Sequence, residues 1–257
     1  MSDPCPKGGV RPCTSLDQNL IFGSTMLLSV IVGGGSLLLF AVFLFWGPLH
    51  LVELGLSDWA VLAWDTFISL VFFAQHSGML RRGFRSRLSA IIPPQYYGAL
   101  FAILSGVLLT PVVVLWQPSS ITFYELQGFS RWLARGVFLL AIAGFFWSGH
   151  SLGSFDPFGI DSIRAHWSVK QRAPQPFSVR GPYSWVRHPL YFFTLLMMWS
   201  SPVLTLDRLL FNIILWTAWI YVGTFLEEAN LVSDFGEAYL EYQRKVPRLV
   251  PSMFSSS

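Results

Sequence analysis

Three groups of side chains have the types and spacing to do chemistry. Asp65 lies inside an apolar stretch, where an ionisable group is costly and a functional or paired role is the default expectation. His76 follows eleven residues later, and eleven steps of about 100° return it to nearly the same helix face. Asp65, Ser69, Phe72 and His76 therefore share one stripe. The same stripe would also serve as polar glue between helices, with Arg208 or another buried donor as partner. The second group is Arg187-His188-Pro189, where a basic segment becomes an apolar helix. Proline suits the first helical position, so Arg187 and His188 stand at the positive end of a helix, where an anion is favoured. Tyr183 and Tyr191 flank them, and interfacial anchoring with Trp185 is the plainer use of such residues. The third is Glu227-Glu228, two acids closing the last apolar run. At a helix C-terminus they oppose the macrodipole, which points to a site or to a solvated helix end. Acids, an Arg-His pair and aromatics on one face suit a zwitterionic, cationic ligand.

The elements that position these groups are set by composition. The chain has 257 residues, 53% hydrophobic and only 12% charged. Soluble domains carry about 25% charged residues. The fold class is therefore all-α and polytopic, embedded in a lipid bilayer. A spanning helix needs roughly 20 apolar residues, and six candidates follow: 22–46, 59–75, 95–116, 136–153, 189–206 and 209–226. The last two form a hairpin with Asp207-Arg208 at its tip. The run Gly33-Gly34-Gly35 lacks the strand and Lys-Ser/Thr context of a phosphate loop and reads as close helix packing. Residues 1–20 read as a flexible tail and 21–257 as one domain.

Basic residues set the orientation. With the N-terminus inside, fourteen fall on the inner segments: Lys7, Arg11, Arg81, Arg82, Arg85, Arg87, Arg164, Lys170, Arg172, Arg180, Arg187, Arg244, Lys245 and Arg248. Only Arg131, Arg135 and Arg208 fall outside. Both termini are thus expected in the cytoplasm, and a net charge of +3 is too small to imply nucleic acid. Two inner segments are long enough to build a pocket, Ser154 to His188 and Glu227 to the end. In the latter, Leu231, Phe235, Tyr239 and Tyr242 recur at helical spacing until Pro247 and Pro251 stop the helix. Cys5 and Cys13 sit among prolines and glycines and read as reduced residues of a loose tail, with no metal site expected. No signal peptide is evident, because the first apolar run is too long for one.

The segment Arg180-Gly-Pro-Tyr-Ser-Trp-Val-Arg-His-Pro-Leu-Tyr191, followed by Glu227-Glu228, Phe235-Gly236, Tyr239, Tyr242 and Val246-Pro247-Arg248, resembles the isoprenylcysteine carboxyl methyltransferase superfamily. Leu62-Ala63-Trp64-Asp65, Gln75-His76-Ser77, Phe155-Asp156-Pro157-Phe158-Gly159 and Asp207-Arg208-Leu209-Leu210 resemble the nurim family, which includes bacterial methanethiol S-methyltransferases. The likeness covers about Trp59 to Pro251. It implies S-adenosylmethionine as methyl donor, in a cytoplasmic pocket built from the loop before the fifth helix and the C-terminal tail. It places the cofactor against Gln175, Pro176, Phe177, Ser178, Tyr183, His188, Pro189, Leu190, Tyr191 and Glu227. Arg187 or His188 would hold its carboxylate and Glu227 its ammonium.

Two positions depart from the pattern. Gly223 stands where the prenylcysteine enzymes place an arginine for the substrate carboxylate, which favours a small thiol. Ser154 stands where the methanethiol enzymes are expected to place histidine. The resemblance therefore implies an integral membrane thiol S-methyltransferase, most simply methanethiol to dimethyl sulfide, in a bacterial inner membrane. His76 and Asp65 would act as an oriented base, with Arg187 as the third catalytic residue. A non-enzymatic nurim-type membrane protein and an isoprenylcysteine carboxyl methyltransferase are the competing readings.

Overall fold

A computed structural model describes residues 16–153, 155–167 and 177–251. Helix α1 runs without a break through Leu16–Leu28, a π-helical turn at Ser29–Gly34, and Gly35–Trp46. It begins inside the segment expected to be a flexible tail. Then come α2 (Asp58–Leu80), the short α3 (Arg82–Leu88), α4 (Tyr97–Val114), strand β1 (Thr122–Glu125), α5 (Gly128–Leu152) and α6 (Ile160–Trp167). The chain continues with α7 (Pro189–Trp199), strand β2 (Val203–Thr205), α8 (Leu206–Phe235, with a π-helical stretch at Leu210–Thr217) and α9 (Glu237–Lys245).

Four of these helices are long and apolar enough to cross a membrane: Leu20–Trp46, Pro94–Val114, Gly128–Leu152 and Leu206–Phe235. The protein is thus a helical, polytopic membrane protein. Helix α2 has the length, with 23 residues, but it carries Asp58, Asp65, Gln75 and His76 and is less apolar. The segment expected to span at 189–206 is helical only for the 11 residues of α7. It turns at Ser200 and ends in β2, which pairs antiparallel with β1. The all-helical expectation is corrected here by a two-stranded ribbon.

Asp207 and Arg208, expected at the tip of a hairpin of two spans, are buried in the first turn of α8. The physical reason is that partners compensate both charges. Asp207 accepts from the Trp116 indole (2.9 Å) and the Ser119 backbone N–H (2.9 Å). Arg208 donates to Ser201 and to the Phe43 carbonyl. Buried ionic groups persist when each is paired in this way.

The glycine run does pack helices closely. A Cβ on Gly106 of α4 would sit 2.6 Å from the Val32 carbonyl oxygen of α1. Phe158 lies over Gly33 and Gly34, and Asp156 caps α6 by accepting from the backbone N–H groups of Ile160 (2.9 Å) and Asp161 (2.8 Å). The Phe-Asp-Pro-Phe-Gly motif is therefore a structural plug. The core is aromatic: Phe73 stacks on Trp219 with centroids 4.2 Å apart, and Phe40 on Trp216 at 4.8 Å. These contacts tie α8 to α2 and α1 and give large apolar burial with defined geometry.

Candidate active site

The site forms at the basic end of the bundle, opposite the β-ribbon. Its first wall is the turn before α7. Gly181 adopts φ +55°, and a side chain there would press on Ser151 and Trp147 of α5. The 3-10 turn Gly181–Ser184 then leads to His188, the N-cap of α7, with Pro189 in the first helical position. Its second wall is α8. Helix α8 does not stop at Leu226 as the sequence suggested, but continues to Phe235. Glu227 and Glu228 therefore lie inside the helix, and the argument from an opposed macrodipole does not apply to them. The third wall is α9 and the chain after it. The single amphipathic helix expected here is broken at Gly236, whose φ of +57° turns the chain between α8 and α9.

The two adjacent acids have different fates. Glu228 continues the buried stripe of Ile220 and Thr224 at four-residue spacing. Its Oε1 accepts from Arg187 Nε (2.7 Å) and His188 Nε2 (3.1 Å), and its Oε2 from Gln243 Nε2 (3.0 Å) and an Arg248 guanidinium nitrogen (2.9 Å). Glu227 sits on the flank of that stripe. Its side chain is 46% exposed, against 4% for Glu228, and it faces His188 Nδ1 at 3.6 Å.

Arg187, expected to be catalytic, is held through Nε and one terminal nitrogen. Besides Glu228 it donates to the carbonyls of Gln243 (2.8 Å) and Val246 (2.6 Å). The backbone N–H groups of Arg187 and His188 bond the carbonyls of Pro247 (2.9 Å) and Arg248 (3.1 Å). Arg187 is thus the clasp that docks the chain after α9 against the start of α7.

Aromatic rings complete the walls. Tyr191 stacks on His188 with centroids 5.6 Å apart. Phe177 packs on Phe235, Tyr239 and Tyr242, and the Tyr242 hydroxyl donates to the Tyr183 carbonyl at 2.6 Å. Burial pushes the phenols of Tyr183, Tyr239 and Tyr242 above their ordinary range, with the nearby glutamates adding to this. Burial lowers the His188 pKa, against the opposing pull of Glu227 and Glu228. His188 is therefore neutral near pH 7.

The structure brings Phe177, Tyr183, His188, Pro189, Tyr191 and Glu227 together, with Leu190 and Ser178 on the same two segments. Gln175 and Pro176 lie outside the described residues. Asp65 and His76 are not a pair. Asp65 is fully buried towards the ribbon end, where one oxygen accepts from the Gln117 backbone N–H at 3.1 Å. His76, three helical turns away, meets the Ser105 hydroxyl at 3.3 Å amid Phe72, Phe101 and Trp219. The shared stripe is real, but a helix rises about 1.5 Å per residue, which separates the two groups by roughly 16 Å. Of the two, His76 lies on the side of the site: Trp219, Gly223 and Glu227 follow one another at single-turn steps along α8, and a Cβ on Gly223 would have open space around it.

Sequence reasoning missed Gln243, and it did not separate Glu228 from Glu227 or place Arg248 beside it. The signal was available, because the stripe Trp216, Ile220, Thr224 extends to Glu228 once the helix is carried past Leu226.

The chain is 34% identical over 197 residues to a methanethiol S-methyltransferase of a Pseudomonas species, covering 73% of this chain and 72% of that protein. It is 38% identical over 74 residues to the protein-S-isoprenylcysteine O-methyltransferase of Schizosaccharomyces pombe, covering 28% and 31% of the two chains. It is 24% identical over 185 residues to nurim of Rattus norvegicus, covering 67% and 68%. No family profile and no solved structure matches it.

Proposed function

From the premise that the chain belongs to the methanethiol S-methyltransferase family, we propose that it transfers a methyl group from S-adenosylmethionine to a small thiol, methanethiol, giving dimethyl sulfide. The observation that carries this reading is the half-exposed Glu227, held beside a neutral His188 and two tyrosines at the start of α7. These residues fit the donor. A carboxylate suits its ammonium, and tyrosine faces suit its positive charge. When bound, S-adenosylmethionine supplies a methyl group on a sulfonium, and transfer to a thiolate cancels one positive and one negative charge.

The chain's residues serve that step in three ways. Glu227, His188, Tyr183 and Tyr191 hold and orient, with Phe177 and Ser178 on the adjoining strand of chain. The aromatic side chains around His76 keep water out, which favours a reaction that cancels charge. His76, steadied by Ser105, takes the proton from the thiol. Asp65 and Arg187, expected to join it, serve instead as packing and clasp. Gly223 leaves room for a small acceptor between His76 and Glu227, and among the described residues nothing lies within 4 Å of where its side chain would be.

The same reading gives six crossings of the bacterial inner membrane, with α2 and the α7–β2 segment completing the four long helices. Both termini and the pocket face the cytoplasm, in keeping with the basic residues gathered at this end. A reporter fused after Ser257 should then report cytoplasm and one inserted at Gln127 the outside; a cytoplasmic signal at Gln127 overturns the topology. The activity is tested by gas chromatography of membranes given methanethiol and labelled S-adenosylmethionine. Labelled dimethyl sulfide is expected. Methylation of a prenylcysteine, with none of methanethiol, would overturn the assignment.

A further inference from the structure

The division of labour between the two glutamates reaches further than binding. An ionised carboxylate offers about four lone-pair positions. All four on Glu228 are taken, by Arg187, His188, Gln243 and Arg248. Glu228 therefore has no capacity left for a ligand, and a proton on it would cost one of these bonds. Because Glu228 is an obligate acceptor, the nitrogen facing it at 3.1 Å must carry a hydrogen. This fixes His188 in the Nε2–H tautomer. In the neutral ring that burial favours, Nδ1 is then a bare lone pair, turned towards Glu227. Their separation of 3.6 Å is too long for a hydrogen bond, as expected for two acceptors with no proton between them.

We infer that Glu228 is the positioning residue of this site: it sets the His188 tautomer, so that His188 Nδ1 and the Glu227 carboxylate together form a slot for the ammonium group of the bound amino-acid moiety. An ammonium has three N–H donors and no acceptor, and it satisfies both facing groups at once. His188 is thereby an acceptor towards the ligand, not the donor to its carboxylate that the sequence suggested. Among the described residues, the charged and titratable groups at the ring are Glu227 and Glu228 from α8 and Arg187 and Tyr191 from its own segment, with Tyr183 near Glu227 and with Arg248 and Tyr239 near Glu228. The inference rests on the reading of His188 and Glu227 as facing the cofactor.

The test uses the full chain in lipid nanodiscs with 15N-labelled histidine, the His188 signals being assigned by their loss in His188→Asn. The wild type should show protonated Nε2 and bare Nδ1. S-adenosylhomocysteine should shift Nδ1 as it accepts a hydrogen bond. Glu228→Gln should mix the tautomers and weaken S-adenosylhomocysteine by about tenfold, near the worth of one charge-assisted hydrogen bond. An analogue lacking the α-amino group should bind wild type and Glu228→Gln equally. A protonated Nδ1 in the wild type overturns the inference even if the variant fails to fold. So does equal weakening of both ligands, which would make Glu228 merely structural. Failure of the underlying reading looks different: S-adenosylhomocysteine would then bind Glu227→Gln as tightly as wild type, whatever the tautomer.

Discussion

The ribbon end and the basic end of the bundle are built from the same materials, yet they leave their carboxylates in different surroundings. Each buries a carboxylate, an arginine and aromatic side chains. At the ribbon end Asp207 is enclosed by Trp116 and Ser119, and Arg208 by Ser201 and the Phe43 carbonyl. Asp65 beside them keeps one oxygen without a partner among the described residues, but that oxygen is sealed from solvent. At the basic end Glu228 is as fully enclosed as Asp207, and its neighbour Glu227 is not. Burial of charge by itself therefore does not mark a site. What marks it is unused hydrogen-bonding capacity that a ligand can reach.

The sharpest way to break this comparison is to unpair a charge at the ribbon end. Asp207→Ala leaves the buried Trp116 indole and Ser119 N–H without their acceptor and removes a negative charge near buried Arg208, and should cost about 2–5 kcal/mol of stability. Thermal unfolding in detergent, followed by size-exclusion, measures it; an unchanged midpoint would mean that this cluster is not structural. Next in size is His76→Ala. If His76 takes the thiol proton, turnover should fall at least about a hundredfold, while S-adenosylmethionine still binds in calorimetric titration. Full activity would return His76 to the packing between α2 and α8.

At the basic end Glu227→Gln should weaken S-adenosylmethionine by about 1.5–3 kcal/mol, with the fold intact. Affinity in the wild type should also fall on acidification. The folded-state pKa of His188 is depressed, so His188 is neutral near pH 7 and gains its charge only as pH drops below the ordinary histidine range, where it repels the ammonium. Affinity that is flat with pH would remove His188 from the ammonium slot. Turnover at saturating cofactor should rise with pH as more of the thiol ionises, since the thiolate is the nucleophile. The smallest expected effect is that of Asp65→Asn. It keeps an acceptor for the Gln117 N–H and lies three turns from His76, so turnover should stay within about twofold, about 0.4 kcal/mol in the barrier. A large loss of turnover there, with cofactor binding intact, would join the two ends into one functional unit.

Much of this was legible in the residues. The low charge content and the long apolar runs specify a membrane protein, because lipid admits helices whose backbone groups bond internally. The Arg180–Tyr191 segment and the paired glutamates mark the site, since proline, histidine and acid types limit what a local segment can do. Periodicity placed Asp65 and His76 on one face, but periodicity gives an angle and carries no information on which neighbour fills the space beside each group.

Other features were decided in three dimensions. Whether 189–206 spans as a helix depended on the pairing of β2 with β1, a contact 80 residues away in the chain. Whether Asp207 and Arg208 lie at a tip or in the interior depended on Trp116, Ser119, Ser201 and Phe43 arriving from three other segments. The sequence presents Glu227 and Glu228 as equals. Only the docking of Arg187, His188, Gln243 and Arg248 around one of them saturates it, and leaves the other half-exposed beside His188 and Tyr191. A carboxylate's role is set by which donors reach it, and those donors are brought together by the fold and not by their order in the chain.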